Sequence, residues 1–158
     1  EHNFLNWEKH ELELREYLRI LANHSKDVFF SFHPKSNIKN YDFIFKDFGF
    51  KKKVVKVADL ISTTDLYICG SSSTINLAII HKKPTINLSY VSNSDERSYY
   101  KKIKFVKNAS SIREFKKNLD ISETNWDKLI QESEKFLEDF FPSEKKIYRY
   151  IEQILNQL

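Results

Sequence analysis

The sequence predicts an α/β domain in which helices cover a parallel sheet of about five strands, with two further helices at the C-terminal end. Short apolar segments rich in β-branched and aromatic residues alternate with segments of helical spacing. That alternation implies strand–helix–strand crossovers and therefore a parallel sheet. Two of the apolar segments end directly in polar turns. The length of 158 residues fits one ordinary domain.

The elements follow one another in a regular order. We expect strands at residues 28–32, 53–57, 66–69, 84–88 and 103–106. We expect helices at residues 7–22, 42–48, 58–63 (a short helix or a turn), 74–81, from 110–114 onwards, 125–141 and 143–158. Residues 1–158 then form a single three-layer, Rossmann-like domain.

Local residues mark several helix ends. Gly49 stands just past the helix at residues 42–48, where a left-handed residue commonly ends a helix. Ser111 is followed three residues later by Glu114, which is a capping-box pattern for a helix start. Pro142 separates the last two predicted helices, because proline stops or bends a continuous helix.

Composition excludes several classes of function. The 26 basic and 22 acidic residues leave a net charge of only +4, and the basic residues form no continuous stripe, so we expect no nucleic-acid partner. No apolar run reaches the roughly 20 residues of a membrane span. Histidine and cysteine do not cluster at metal-ligand spacing, so no metal site is expected. The single Cys69 favours a reducing compartment. The chain starts at Glu1 and contains no Met, which favours a piece of a longer protein.

A tract of hydroxyl residues follows the third predicted strand. Gly70, Ser71, Ser72, Ser73 and Thr74 lie between that strand and the next helix. The start of a helix offers backbone N–H groups and a partial positive charge, which suit a phosphate. A helix cap needs only one such residue. The sequence therefore predicts that this tract binds phosphate.

A second polar turn follows the first predicted strand, at His33 and Pro34. Ligands of parallel α/β sheets bind at the carboxyl ends of the strands, so we expect His33 to lie at the same edge as the serine tract. An imidazole can donate a hydrogen bond to a phosphate oxygen. His33 is thus the candidate catalytic residue, and Pro34 would hold the turn rigid.

These segments resemble the C-terminal nucleotide-sugar-binding domain of GT-B glycosyltransferases, from about Val28 to Leu88. The likeness is closest to bacterial enzymes of capsule and wall polymer synthesis: polysialyltransferase-like, Kdo-transferase-like and glycerophosphotransferase-like proteins. Those families carry a His-Pro motif at one strand end and a serine pair at another, and both contact the donor phosphate. Ser72 and Ser73 match that pair. The matching segments are residues 32–34, 57–60, 64–68, 71–74 and 82–86.

The sequence departs from the family at the ribose contact. The family usually has a carboxylate about one helical turn after the serine pair, where this chain has Asn76, Leu77 and Ala78. Asn76 is the candidate substitute for a ribose or sugar contact. Arg97, in the loop after the fourth strand, is a second candidate, because arginine can pair with a phosphate through two hydrogen bonds or with nearby acidic residues.

The resemblance implies a metal-independent transferase in bacterial surface polysaccharide synthesis. Its donor would be a UDP-, CMP- or CDP-linked sugar and its acceptor a saccharide or a lipid-linked saccharide. The general base would come from an N-terminal domain that this chain lacks, so the chain alone would be inactive. The implied location is the cytoplasm, with peripheral association at the inner face of the cell membrane left open.

Two alternatives remain at this point. Gly70, the serines and the segment Pro84–Asn87 also resemble hydrolysing UDP-N-acetylglucosamine 2-epimerases, although the acidic residue and second glycine usual after the serines are absent. The other alternative is a noncatalytic α/β module that binds a nucleotide or a protein partner.

Overall fold

A computed structural model describes residues 7–24, 27–32, 36–52, 57–70, 72–89, 100 and 103–140. These residues form an α/β structure with five strands and five α-helices. Among them the strands divide into a parallel two-stranded sheet and a parallel three-stranded sheet. The α/β class and the parallel pairing are therefore confirmed. A single sheet of about five strands is not present in the described part of the chain.

The first helix, α1 (Trp7–His24), forms because its apolar residues recur at helical spacing among charged ones. It runs two residues beyond the predicted end. Its buried side chains include Tyr17, Leu18 and Leu21, and the ring of Tyr17 meets that of Phe115 edge to face at 5.0 Å. These buried side chains anchor α1 in the main core.

The two-stranded sheet contains β1 (Phe29–Phe30) and β2 (Lys51–Lys52). Between them lie a short 3-10 helix, Ile38–Tyr41, and the helix α2 (Asp42–Phe48). As predicted, α2 ends at Gly49, whose φ of 67° is left-handed. The second predicted strand, residues 53–57, is corrected at Val57, which opens the helix α3 (Val57–Ile61) instead of ending a strand. Residues 53–56 lie outside the described residues.

The three-stranded sheet contains β3 (Tyr67–Cys69), β4 (Thr85–Leu88) and β5 (Val106–Ala109), with β4 in the middle. All four residues of β4 are buried, as expected for a strand covered on both faces. The helix α4 (Ile75–Ile80) connects β3 to β4.

The last strand lies later than predicted. Residues 103–106 form a turn, in which the N–H of Val106 donates to the carbonyl of Ile103 at 2.9 Å. Ile103 and Phe105 are buried in this turn. A sequence does not distinguish apolar residues buried in a turn from apolar residues buried in a strand. The strand was therefore predicted at residues 103–106, which ends where β5 begins.

The long helix α5 (Ile112–Phe140) consists of two helical segments joined at a kink, where Asn125 has non-helical angles. The predicted start is confirmed: the hydroxyl of Ser111 accepts from the N–H of Glu114 at 3.2 Å. The carboxylate of Glu114 in turn accepts from the N–H of Ser110 at 2.7 Å. Pro142 and the predicted helix at residues 143–158 lie outside the described residues.

Two clusters of buried apolar residues hold these layers together. The first joins α1, α2 and the first segment of α5 to one face of the three-stranded sheet through Ile86, Leu88 and Ala109. The second joins α4 and the second segment of α5 to the opposite face, at Cys69 and Val106. Helical layers thus cover both faces, and the carboxyl ends of the strands remain as an edge.

Candidate functional site

The candidate site is the carboxyl edge of the three-stranded sheet. Because β3, β4 and β5 are parallel and in register, their carboxyl ends meet at one edge. Gly70 and Ser72 to Thr74 follow β3 there and lead into α4. Gly70 and Ser73 are exposed, whereas Ser72 and Thr74 are half-buried. The structure thus places the described part of the serine tract where α/β proteins bind ligands.

Three hydroxyl groups at this edge form a hydrogen-bonded chain. The phenol oxygen of Tyr67 lies 2.5 Å from Oγ1 of Thr74. The Thr74 hydroxyl donates to Oγ of Ser72 at 2.7 Å, and the N–H of Thr74 is directed at the same oxygen from 3.3 Å. Tyr67 was not predicted as a site residue, because it stands at the start of an apolar strand.

The direction of this chain follows from proton counting. A threonine hydroxyl has one hydrogen, and Thr74 gives it to Ser72. Tyr67 must therefore donate to Thr74. Burial raises the pKa of Tyr67 to about 12, so its phenol keeps that proton at neutral pH. Since Oγ of Ser72 accepts two hydrogen bonds, its own hydrogen is the one left to donate to a ligand. Chains of this kind polarise their last donor.

The first turn of α4 differs from the sequence-based expectation. The N–H groups of Ile75, Asn76 and Leu77 donate to the carbonyls of Ser72, Ser73 and Thr74, at 3.1 to 3.2 Å. Thr74 occupies the cap position but makes no side-chain cap bond to the described residues. The tight turn before α4 thus uses the backbone donors that a phosphate would have met. Hydroxyl groups are among the donors that this turn still presents.

Asn76, the candidate ribose contact, points its carboxamide oxygen at a buried partner. The phenol of Tyr100 donates to Oδ1 of Asn76 at 3.1 Å, and Tyr100 is 1% exposed. A carboxylate would offer acceptors to ribose hydroxyls. With a lone pair of Oδ1 occupied, Asn76 chiefly offers its amide hydrogens. The position therefore differs in chemistry from the carboxylate that the resemblance to GT-B enzymes would lead one to expect.

The sequence analysis did not identify a second polar group at this edge. Asn87 in β4 is 3% exposed, and its Nδ2 donates to Oδ1 of Asn108 in β5 at 2.9 Å. Asn118 in α5 donates through its Nδ2 to the backbone oxygen of Asn108 at 3.0 Å. Asn87 interrupts a fully buried strand and Asn118 is a buried polar residue of α5. A polar residue within an apolar pattern was the signal that could have identified these two.

The remaining predicted site residues are not described. His33, Pro34, Ser71 and Arg97 lie outside the described residues, so their phosphate contacts stay predictions. Phe32, directly before His33, packs against the same core cluster as Leu66 and Ile68. The strand that precedes each of the two polar turns therefore belongs to one core.

No group of three metal-ligating side chains occurs in the described part of the chain. In the same residues, no helix is long and apolar enough to span a membrane. Comparison of the chain with protein-family models, with curated proteins and with solved structures gives no match.

Proposed function

We propose that this chain is the donor-binding half of a GT-B-type glycosyltransferase that acts in bacterial surface polysaccharide synthesis. The observation that carries the proposal is the hydroxyl chain from Tyr67 through Thr74 to Ser72 at the carboxyl edge. It leaves the hydroxyl hydrogen of Ser72, in the strand-to-helix turn, as the donor for a ligand. The His-Pro and serine motifs support the same assignment at the level of resemblance.

The topology supports the proposal if the two small sheets are parts of one Rossmann-like sheet. Phe30 of β1 and Ile68 of β3 pack in one core cluster. Placing β1 beside β3 joins the observed orders β1–β2 and β3–β4–β5 into the order 2-1-3-4-5. In sheets of that order, ligands bind at the switch point between the first and third strands. The turn after β3 flanks that crevice.

The proposed reaction requires donors around a leaving phosphate. When the glycosidic bond of a nucleotide sugar breaks, negative charge grows on the departing phosphate. Preorganised donors stabilise that charge more in the transition state than in the ground state. In the proposal, the O–H groups of Ser72 and Ser73 supply two donors and the imidazole of His33 supplies a third. The acceptor's proton leaves to a base in the proposed N-terminal domain.

The experiment is a thermal-shift and ligand-observed NMR panel with UDP, CMP, CDP and GDP. We expect at least one nucleotide to stabilise the chain, since a ligand of the folded state raises its apparent stability. Ser72→Ala and His33→Ala should abolish that stabilisation. Ser62→Ala is the matched control, because Ser62 is an exposed serine outside the strand-to-helix turn. Equal binding by all four proteins would refute the site.

A noncatalytic α/β module is the second candidate. It is favoured by the internal pairing of the first N–H groups of α4, which removes donors that a tight nucleotide site uses. This candidate predicts no stabilisation by any nucleotide of the panel.

A further inference from the structure

Three side chains lie in register across the carboxyl edge of the sheet. Cys69 pairs with Asn87 and Asn87 pairs with Asn108 on neighbouring parallel strands. Side chains of residues in register project from the same face of a sheet. Cys69 packs against the cluster that contains Ile75 of α4, so the row lies on the face that α4 covers.

Asn108 is exposed, yet its carboxamide oxygen is held by one hydrogen bond and its backbone oxygen by another. The buried Asn87 donates to its Oδ1, and Asn118 donates to its backbone oxygen. Within the described residues, no group accepts a hydrogen bond from Nδ2 of Asn108. The amide hydrogens of Asn108 are therefore presented in a fixed direction at the sheet edge. Fixing a donor before binding lowers the entropy that a ligand must offset.

The spacing of the strands relates this donor to the serine turn. Two strand intervals, about 10 Å, separate β3 from β5. A nucleotide with its phosphate at Ser72 and its base directed toward β5 would place the base beside Asn108.

We infer that Asn108 donates a hydrogen bond to an acceptor atom of the donor's nucleobase, held in position by Asn87. This inference rests on the proposed function, because it takes the ligand to be a nucleotide. Because Oδ1 of Asn108 already accepts from Asn87, the contact to the base uses Nδ2 of Asn108 as the donor. Asn108 therefore recognises a ring carbonyl or an unprotonated ring nitrogen.

The test uses Asn108→Asp and three probes: uridine, pyrophosphate and UDP. Aspartate keeps an oxygen for the Asn87 hydrogen bond and replaces the NH2 donor by a second acceptor. We expect Asn108→Asp to weaken uridine binding about tenfold, since one hydrogen bond is lost and two acceptors face each other. Uridine is neutral, so the added charge does not account for this loss. Asn40→Asp, an exposed asparagine in the 3-10 helix, is the matched charge control.

The outcomes separate the two proposals. Ser72→Ala should weaken pyrophosphate and UDP but leave uridine unchanged. Wild-type binding of uridine that Asn108→Asp leaves intact would overturn the base contact alone and make the asparagine pair purely structural. Failure of the wild type to bind any of the three probes would overturn the base contact and the proposed function together.

Discussion

The phenol of Tyr67, at the start of β3, lies 2.5 Å from the hydroxyl of Thr74, beyond the end of the same strand. The side chain of Tyr67 thus reaches past the strand end to the turn before α4. Because Thr74 donates onward to Ser72, a half-buried residue of β3 orders the hydroxyl groups of the candidate site. The hydrogen-bonded chain connects the start of β3 to the turn before α4.

Replacing Tyr67 by Phe should therefore affect stability and binding together. The change removes one hydrogen bond and leaves the hydroxyl of Thr74 without its donor, at a cost of about 1 kcal/mol in the free energy of unfolding. Urea denaturation measures that cost. The proposed binding of a nucleotide at Ser72 should weaken as well. Tyr41→Phe, at another half-buried tyrosine, is the control, and equal nucleotide affinity in both variants would contradict a role for Tyr67 in the site.

Gly49→Ala tests the helix end of α2. Gly49 has a φ of +67°, while a methyl group added there would meet no atom within 4 Å. The cost is therefore conformational and should be about 1 kcal/mol, because L-residues are strained in the left-handed region. Asn tolerates that region better, so Gly49→Asn should cost less. An alanine variant as stable as the wild type in urea titration would show that α2 ends differently.

Ser133→Ala tests how the second segment of α5 is held on the sheet. The hydroxyl of Ser133 is 0% exposed, accepts from the N–H of Lys104 at 2.9 Å and donates to the carbonyl of Leu129. Removing it leaves a part-buried N–H without that acceptor, which should cost about 1–3 kcal/mol.

Chemical denaturation of Ser133→Ala is compared with that of Ser62→Ala, an exposed serine for which we expect a change within about 0.5 kcal/mol. Similar small losses in both variants would contradict the anchoring role of Ser133. Hydrogen exchange at the amide of Lys104 gives a second, local measurement and should become faster in Ser133→Ala.

Glu114 should make stability depend on pH. Hydrogen bonds from the N–H and the hydroxyl of Ser110 lower the pKa of its carboxyl below the ordinary value of 4.5. A carboxyl with a lowered folded-state pKa contributes stability that is present above pH 4.5 and is lost as the pH falls through the folded-state value. Glu114→Gln should therefore be less stable than the wild type at pH 7, and the difference should shrink at pH 3. If urea titrations gave the same stability difference between Glu114→Gln and the wild type at both pH values, the ionisation of Glu114 would be excluded as a source of pH dependence.

The local features of the fold were predictable because each depends on a few neighbouring residues. The capping box of Ser111 and Glu114 and the left-handed Gly49 are examples, since both are governed by backbone geometry within one turn. The strand at residues 103–106 was misplaced because an apolar run is equally compatible with a buried turn. Val57 was assigned to a strand although it opens a helix, and β-branched residues have only a weak preference that the surrounding fold overrides.

The sequence by itself determined that this chain is an α/β protein with parallel strands, and that a hydroxyl-rich turn follows its third strand. Those properties depend on periodicity and on residues close together in the chain. Only the tertiary structure decided which polar groups meet. The parallel register places Asn108 beside Asn87, 21 positions away, and the packing of β3 brings the phenol of Tyr67 to Thr74. The first contact depends on strand order and register. The second joins residues only seven positions apart and depends on the direction of the Tyr67 side chain.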